Sequence, residues 1–178
     1  MSAAVAWART RPQKAGCAFV LALAVLARYG PGSAGVIAAF ACAVFVVLAF
    51  IDIETGRLPN RIVLPTAALV LVARLVTEPE HWALWLGATF GTAAAFFVLY
   101  LVYPAGIGAG DVKLALLLGA ALGGAILPAL LIGTLAGAVP AIARIARHGA
   151  AAARRLRFSY GPYLVFGAIA TLLLAAPR

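Results

Sequence analysis

Long apolar runs separated by short polar loops make up most of this chain. A helix that crosses a bilayer needs about 20 predominantly apolar residues. The second, fourth and sixth runs reach that length comfortably, whereas the first, third and fifth are shorter. The runs lie at roughly 15–27, 33–51, 62–76, 82–103, 111–124, 125–145 and 163–176. This pattern predicts an all-α fold, a polytopic membrane helix bundle of about six to seven transmembrane helices.

The first run has a second interpretation. The letters RTRPQK, followed by about a dozen apolar residues, are also typical of the first two regions of a signal peptide. No small-x-small cleavage site follows VLARYG. A retained helix and a signal peptide both stay open here, and either one brings the second run in from the outer side of the membrane.

Composition supports insertion into a membrane. Of the 178 residues, 65% are hydrophobic and 11% are charged, and the mean hydropathy is +1.07. A soluble globular domain is about 45–50% apolar and about 25% charged. The chain has too few polar residues to cover a water-facing surface, and its length fits one compact helical bundle.

The positive charge follows the pattern of membrane topology. The net charge is +9, but the bases lie in short loops between apolar runs, so we expect no nucleic-acid partner. With a cytoplasmic N-terminus, eleven of the 14 Lys and Arg residues fall on the cytoplasmic side. The predicted outer loops hold only Arg28, Arg74 and Arg178.

Glycines recur at helical spacing within the predicted spans. Such pairs allow two helix backbones to approach closely in lipid. We therefore predict that these glycines lie at contacts between helices. The pairs are Gly87 with Gly91, Gly119 with Gly123, and Gly133 with Gly137.

Acidic residues are the main candidates for chemistry because the chain has only five of them. Glu78 and Glu80 fall in a predicted outer loop, where solvation explains them. Asp52 ends the second run and Asp111 opens the fifth. The predicted topology puts both aspartates, and the neighbouring Glu54, at the cytoplasmic ends of their segments, where the aspartates can face each other.

Each aspartate also has a simpler explanation. Asp111 is suited to cap a helix N-terminus, and Asp52 to sit at the interface in a polar loop. Ionisable groups at membrane depth are costly, however, and usually face a bundle interior or a wet cavity. The glycines at 106, 108 and 110 before Asp111 also permit backbone conformations closed to other residues. Because both aspartates are predicted at the same membrane face, we favour one site that contains both of them.

Two carboxyl groups held close together share a proton and titrate as a unit. One carboxylate can deprotonate a water molecule while its protonated partner donates to an amide. This chemistry requires no cofactor. Cys17 and Cys42 form no CxxC pair, and the two histidines lie on opposite sides of the predicted membrane. We therefore expect no metal site.

Three stretches resemble a known family. IDIETGRLPNRIVLP at 51–65 is similar to the first signature of the type IV prepilin peptidases, and GIGAGDVKLALLLGAALG at 106–123 is similar to their GxGD signature. FSYGPYLVFGAIA at 158–170 resembles their C-terminal segment. The three occur in the family's order. Among these residues, the resemblance gives structural roles to Asn60 and Gly161.

The resemblance implies the roles of six residues. Asp52 and Asp111 correspond to the two catalytic aspartates. The other four are candidates for substrate binding or for shaping the loops: Gly108, Gly110, Lys113 and Glu54. Glu54 is offered as a contact for the basic leader of a substrate. For Lys113 the alternatives are docking of the loop, tuning of the carboxylates and lipid contact.

The implied function is that of a membrane-embedded aspartic endopeptidase. It would remove the short basic leader from a prepilin or pseudopilin precursor at the cytoplasmic face of the inner membrane, beside the precursor's hydrophobic helix. We expect one peptidase domain over 1–178, with an extra N-terminal helix at roughly 15–28 and a family-like core at roughly 33–177. Longer relatives carry a cysteine-rich N-methyltransferase domain, and nothing in this sequence matches it, so cleavage without methylation is expected. A small ion- or proton-coupled transporter is the alternative.

Overall fold

The structure is a computed structural model that describes residues 12–103, 106–153 and 160–174. Regular structure within these ranges is helical throughout, with 3₁₀ turns at Pro79–His81 and Gly123–Ala125. The fold prediction of an all-α membrane bundle is confirmed. The α-helices are α1 (Pro12–Tyr29), α2 (Ser33–Thr55), α3 (Asn60–Thr77), α4 (Trp82–Val102), α5 (Ala109–Leu122), α6 (Ile126–Ala153) and α7 (Gly161–Leu174).

The apolar runs correspond to these helices one by one, with differences at their ends. The largest extension is in α6, which continues to Ala153, past the end of its apolar run at about 145 and into the basic stretch HGAAAARRLRFS. The rest of that stretch lies outside the described residues. Helix α2 continues past its apolar run to Thr55 and ends at Gly56, whose φ of 60° is left-handed and whose N–H donates to the Asp52 carbonyl. Asp52 and Glu54 are therefore helical residues.

Several helices have the length and polarity of membrane spans. The long apolar stretches are Ser33–Thr55, Asn60–Thr77, Pro79–Val102 and Ala109–Ala143, and Gly161–Leu174 is a shorter apolar helix. The third of the long stretches joins a 3₁₀ turn to α4, and the fourth joins α5 to α6. Large hydrophobic side chains are exposed on the outside of the bundle, as lipid contact requires. The chain is an integral membrane protein.

Helices α6 and α7 pack against each other in opposite directions. A Cβ on Gly133 would lie 2.8 Å from the Tyr163 carbonyl oxygen, and one on Gly167 would strike the Ala129 carbonyl. Later positions on α6 meet earlier positions on α7, since Tyr160 also donates to Thr134. The glycines allow backbone-to-backbone approach, as the small-residue pattern predicts.

The glycine prediction holds for α5 but fails for one pair on α4. A Cβ on Gly119 would strike the Ala88 carbonyl, so α5 lies directly on the α4 backbone. Gly87 and Gly91, in contrast, have no atom within 4 Å of an added Cβ. Helical spacing alone cannot distinguish a glycine at a helix contact from one on an open face.

Arg74 lies inside the bundle, where the sequence predicts an outer-loop residue. It is 6% exposed in the last turn of α3, and it pairs with Glu78 at 2.8 Å. Its guanidinium stacks over the Trp85 ring at 4.5 Å and donates to the Ala121 carbonyl of α5. Glu78 is therefore a partner of a buried cation rather than a solvated loop residue, whereas Glu80 is solvated, at 65% exposure.

A cavity of about 800 Å³ opens at this same end of the bundle. Its lining includes Tyr29 at the end of α1, Ser33 at the start of α2, Arg74 on α3 and Leu122 at the end of α5. The predicted outer ends of these helices therefore meet in one place. Since each helix is rigid, the start of α5 and the end of α2 are at the opposite end of the bundle.

Candidate active site

Asp52 is a buried acid near the C-terminal end of α2. It is 6% exposed, although no charged side chain would be buried there for packing alone. Its carboxylate lies against the first residue of α7, because a Cβ added to Gly161 would strike Asp52 Oδ2 and lie 3.3 Å from its Cγ. The Asp52 side chain therefore points into the bundle, where it contacts α7.

Asp111 is the third residue of α5 and is 9% exposed. Its Oδ2 accepts a hydrogen bond of 2.9 Å from the Gly108 N–H, while its own N–H donates to the Gly108 carbonyl. The side chain thus satisfies a backbone donor at the helix start, as an acid does in a capping box. The prediction that Asp111 caps the helix is therefore partly correct. Its side chain does accept a backbone N–H at the helix start, but the N-cap residue is Gly108, three positions earlier.

The two aspartates come together in the interior of the same end of the bundle. Helix α2 contacts both α5 and α7, and both aspartates are buried. The added Cβ on Gly161 that would strike Asp52 also lies 3.6 Å from Leu114, one turn after Asp111. The ends of α2, α5 and α7 therefore converge around the acidic pair.

The glycines before Asp111 do not adopt the special conformations that the sequence suggests. The described part of the chain has positive φ at Gly30, Gly56 and Gly123, and Gly108 has an ordinary extended φ of −87°. A Cβ on Gly108 or Gly110 would have its nearest neighbour at 3.5 Å, which is normal van der Waals contact. That neighbour is Asp111 for Gly108 and Leu58 for Gly110. The special backbone conformations that the sequence suggests are therefore not found at these three glycines, although a Cβ on Gly106 would strike the Tyr103 ring.

Lys113 links the start of α5, which carries Asp111, to the start of α3, which follows the turn after Asp52. Its Nζ donates to Asn60 Oδ1 at 2.8 Å. Asn60 is the first residue of α3, directly after the Leu-Pro turn that follows Asp52, whereas Lys113 follows Asp111 by two positions. This contact gives Lys113 the loop-docking geometry that was one of its predicted alternatives.

Glu54 has a partner within the chain. It forms a short ion pair with Lys14 of α1, and the Lys14 ammonium also lies 5.2 Å from the Phe50 ring centroid. Glu54 lies two residues beyond Asp52, so it does not share that residue's helix face. Glu54 is therefore paired with a base from α1 in this structure.

The site has the chemistry of a carboxyl pair. Among the described residues, no group of three His, Cys, Asp or Glu side chains is arranged to hold a metal ion. Two buried carboxyl groups that lie close together can share one proton. The protonated group can then act as an acid and the ionised group as a base in the same reaction. The cavity of about 800 Å³ lies at the other end of the bundle, beside Arg74 and away from the two aspartates.

Comparison with known proteins gives consistent matches. A sequence model described as the Type IV leader peptidase family matches residues 39–142, which include all six predicted site residues. The chain is 35% identical over 167 residues to proteins named prepilin leader peptidase/N-methyltransferase from Burkholderia pseudomallei strains 1026b and K96243. The match covers 88% of this chain, which spans about half the length of these relatives, 52%. No solved structure matches.

Proposed function

Because the chain belongs to the type IV leader peptidase family, we propose that it is an aspartic endopeptidase that removes the basic leader of type IV prepilin-like or pseudopilin substrates. Asp52 and Asp111 are the proposed catalytic pair, one activating water and the other donating a proton to the scissile amide. The observation that carries this proposal is the burial of both carboxyl groups where α2, α5 and α7 meet.

The depth of the pair supports cleavage at a membrane face. Asp52 lies in the last turn of α2 and Asp111 in the first turn of α5. We propose that this end faces the cytoplasm in the inner membrane, because most Lys and Arg residues fall on that side of the predicted topology. Transporter sites favour the bilayer midplane, so positions at helix ends argue against the transporter alternative.

The 14-residue length of α5 supports a recessed site. A helix of that length is about 21 Å long, whereas the hydrocarbon core is about 30 Å thick. The far end of α5 lies beside Arg74, which the sequence assigns to the outer side, so we propose that the Asp111 end of α5 lies inside the cytoplasmic edge of the hydrocarbon. A precursor anchored by its own apolar helix would present a bond at that depth.

We propose that these residues catalyse cleavage without N-methylation. The sequence of 178 residues contains no CxxC pair, and the resemblance associates paired cysteines with the methyltransferase domain of longer relatives. No cofactor is assigned to the cleavage reaction. A methylated N-terminus on a pilin processed by this chain alone would contradict this part of the proposal.

The function can be tested by co-expressing the chain with type IV prepilins and sequencing the N-terminus of each product. We expect one prepilin to lose its leader, and we expect a chelator to leave cleavage intact because the proposed pair uses carboxyl groups alone. Retention of the leader by every prepilin, with the chain present in the membrane, would reject the proposed activity. Loss of cleavage on chelation would reject the metal-free mechanism.

Glu54 is proposed to contact the basic leader, in competition with Lys14. Since Lys14 neutralises Glu54 in the resting structure, Lys14→Gln should lower KM and Glu54→Gln should raise it. Partly exposed ion pairs contribute about 0.2–1 kcal/mol, so we expect changes of up to about fivefold. Steady-state kinetics should be measured on a prepilin and on a version with a neutral leader, which should respond to neither variant. A shift of KM in the same direction for both variants would contradict competition.

A further inference from the structure

Gly161 is the first residue of α7, and it is buried against the proposed catalytic pair. An added Cβ would strike Asp52 Oδ2 and lie 3.3 Å from Asp52 Cγ. Rotating the carboxylate about its last bond would move the oxygen but leave the crowded Cγ in place. The whole carboxyl group therefore occupies space that any side chain at position 161 would need.

Backbone conformation does not explain this glycine. Positive φ among the described glycines occurs at Gly30, Gly56 and Gly123, so Gly161 adopts a conformation open to alanine. Close backbone packing does not explain it either, because the atoms nearest to its added Cβ belong to the side chains of Asp52 and Leu114. What distinguishes position 161 is the acid beside it.

Gly167, on the same helix, is a useful contrast. A Cβ there would strike the Ala129 carbonyl and lie 2.6 Å from the Gly133 nitrogen, so α6 and α7 would have to separate. At Gly161 the obstacle is a side chain that can move without separating the helices. A methyl group at 167 should therefore damage the fold, whereas a methyl group at 161 should displace Asp52.

We propose that Gly161 is a positioning residue for the acidic pair: the absence of a side chain at the start of α7 creates the space that holds the Asp52 carboxylate in its reactive place. The proposal rests on the proposed function for its catalytic readout. It adds α7 to the active site, since α2 and α5 carry the two acids and α7 fixes the position of one of them.

The expected consequence of Gly161→Ala is a loss of turnover. To restore van der Waals contact the Asp52 carboxyl group must move by roughly 1 Å. Leu114, which is fully buried and 3.6 Å from the added Cβ, limits where the new methyl group can go. A displacement of about 1 Å in a catalytic group costs about 100-fold in rate, so kcat should fall by about 100-fold while KM changes little.

The test compares three glycine-to-alanine variants of the full chain in liposomes, with a prepilin as the probe. Gly161→Ala should lose turnover at an almost unchanged Tm. Gly167→Ala should lower Tm, whereas Gly87→Ala should keep wild-type turnover without lowering Tm, because its added Cβ meets no atom within 4 Å. Wild-type kcat in Gly161→Ala, or a loss of turnover that only parallels a fall in Tm, would overturn the proposal.

A second measurement does not depend on the proposed function. Dicyclohexylcarbodiimide modifies carboxyl groups in membrane proteins, and the modified residue can be identified by mass spectrometry. Displacement by the new methyl group alters both the access and the protonation of Asp52, so its labelling rate in Gly161→Ala should differ from that in the wild type. An unchanged labelling rate of Asp52 would overturn the positioning role, even if no prepilin proved to be a substrate.

Discussion

Asp52→Asn and Asp111→Asn are each expected to abolish prepilin cleavage while the protein still accumulates in the membrane. An amide can neither activate water nor donate a carboxyl proton, and a positioned acid or base contributes about 10²- to 10⁴-fold to a rate. Because the two groups act as a unit, the double variant should be about as inactive as either single variant. Cleavage can be followed by the mobility shift of the pilin and by its N-terminal sequence.

Asparagine is an informative substitution because it keeps the local structure. At position 111 the amide oxygen can still accept the Gly108 N–H, so α5 keeps its capping contact. Asp111→Ala would also remove that contact, at about 0.5–2 kcal/mol for a lost cap. Glu80→Gln is the matched control, since it makes the same acid-to-amide change at a solvated position at the other end. Substantial cleavage by either aspartate variant would reject the carboxyl pair as the catalytic group.

The helices and the convergence of the acids could be predicted from the sequence. Membrane helices are long and apolar, so the positions of α1 to α7 follow from hydropathy and from the loops between the runs. Asp52 and Asp111 stand out because acids are rare in this chain and costly in lipid. These two signals require no knowledge of which helices touch.

What could not be predicted depends on side-chain contacts between distant segments. Arg74 has the sequence context of an outer-loop base, and only the packing of α3 against α4 and α5 shows that Trp85 and Ala121 surround it. The glycines before Asp111 suggest backbone conformations closed to other residues, but their φ values depend on the path of the loop, which the sequence does not give. Gly161 gives no sequence signal for its contact with Asp52, because that contact joins residues 109 positions apart.

Lys113 and Asn60 are expected to act as one unit that holds the start of α5 against the start of α3, next to the two aspartates. Lys113→Ala and Asn60→Ala should each lower kcat, by about tenfold if the shift in the loops is a fraction of 1 Å. The double variant should lose little more than either single variant, because both remove the same contact. The measurement is a double-mutant cycle on kcat and KM in liposomes.

The cycle separates this docking role from the other roles predicted for Lys113. If Lys113 bound the substrate, its removal would raise KM, and Asn60→Ala would not reproduce the effect. If it only contacted lipid or set the topology, Lys113→Arg would preserve activity and Asn60→Ala would be neutral. Docking predicts instead that Asn60→Asp, which keeps the acceptor oxygen, retains activity, because Lys113 Nζ donates to that oxygen at 2.8 Å. Additive losses in the double variant would show that the two residues act separately. Another contact would then have to align the starts of α3 and α5.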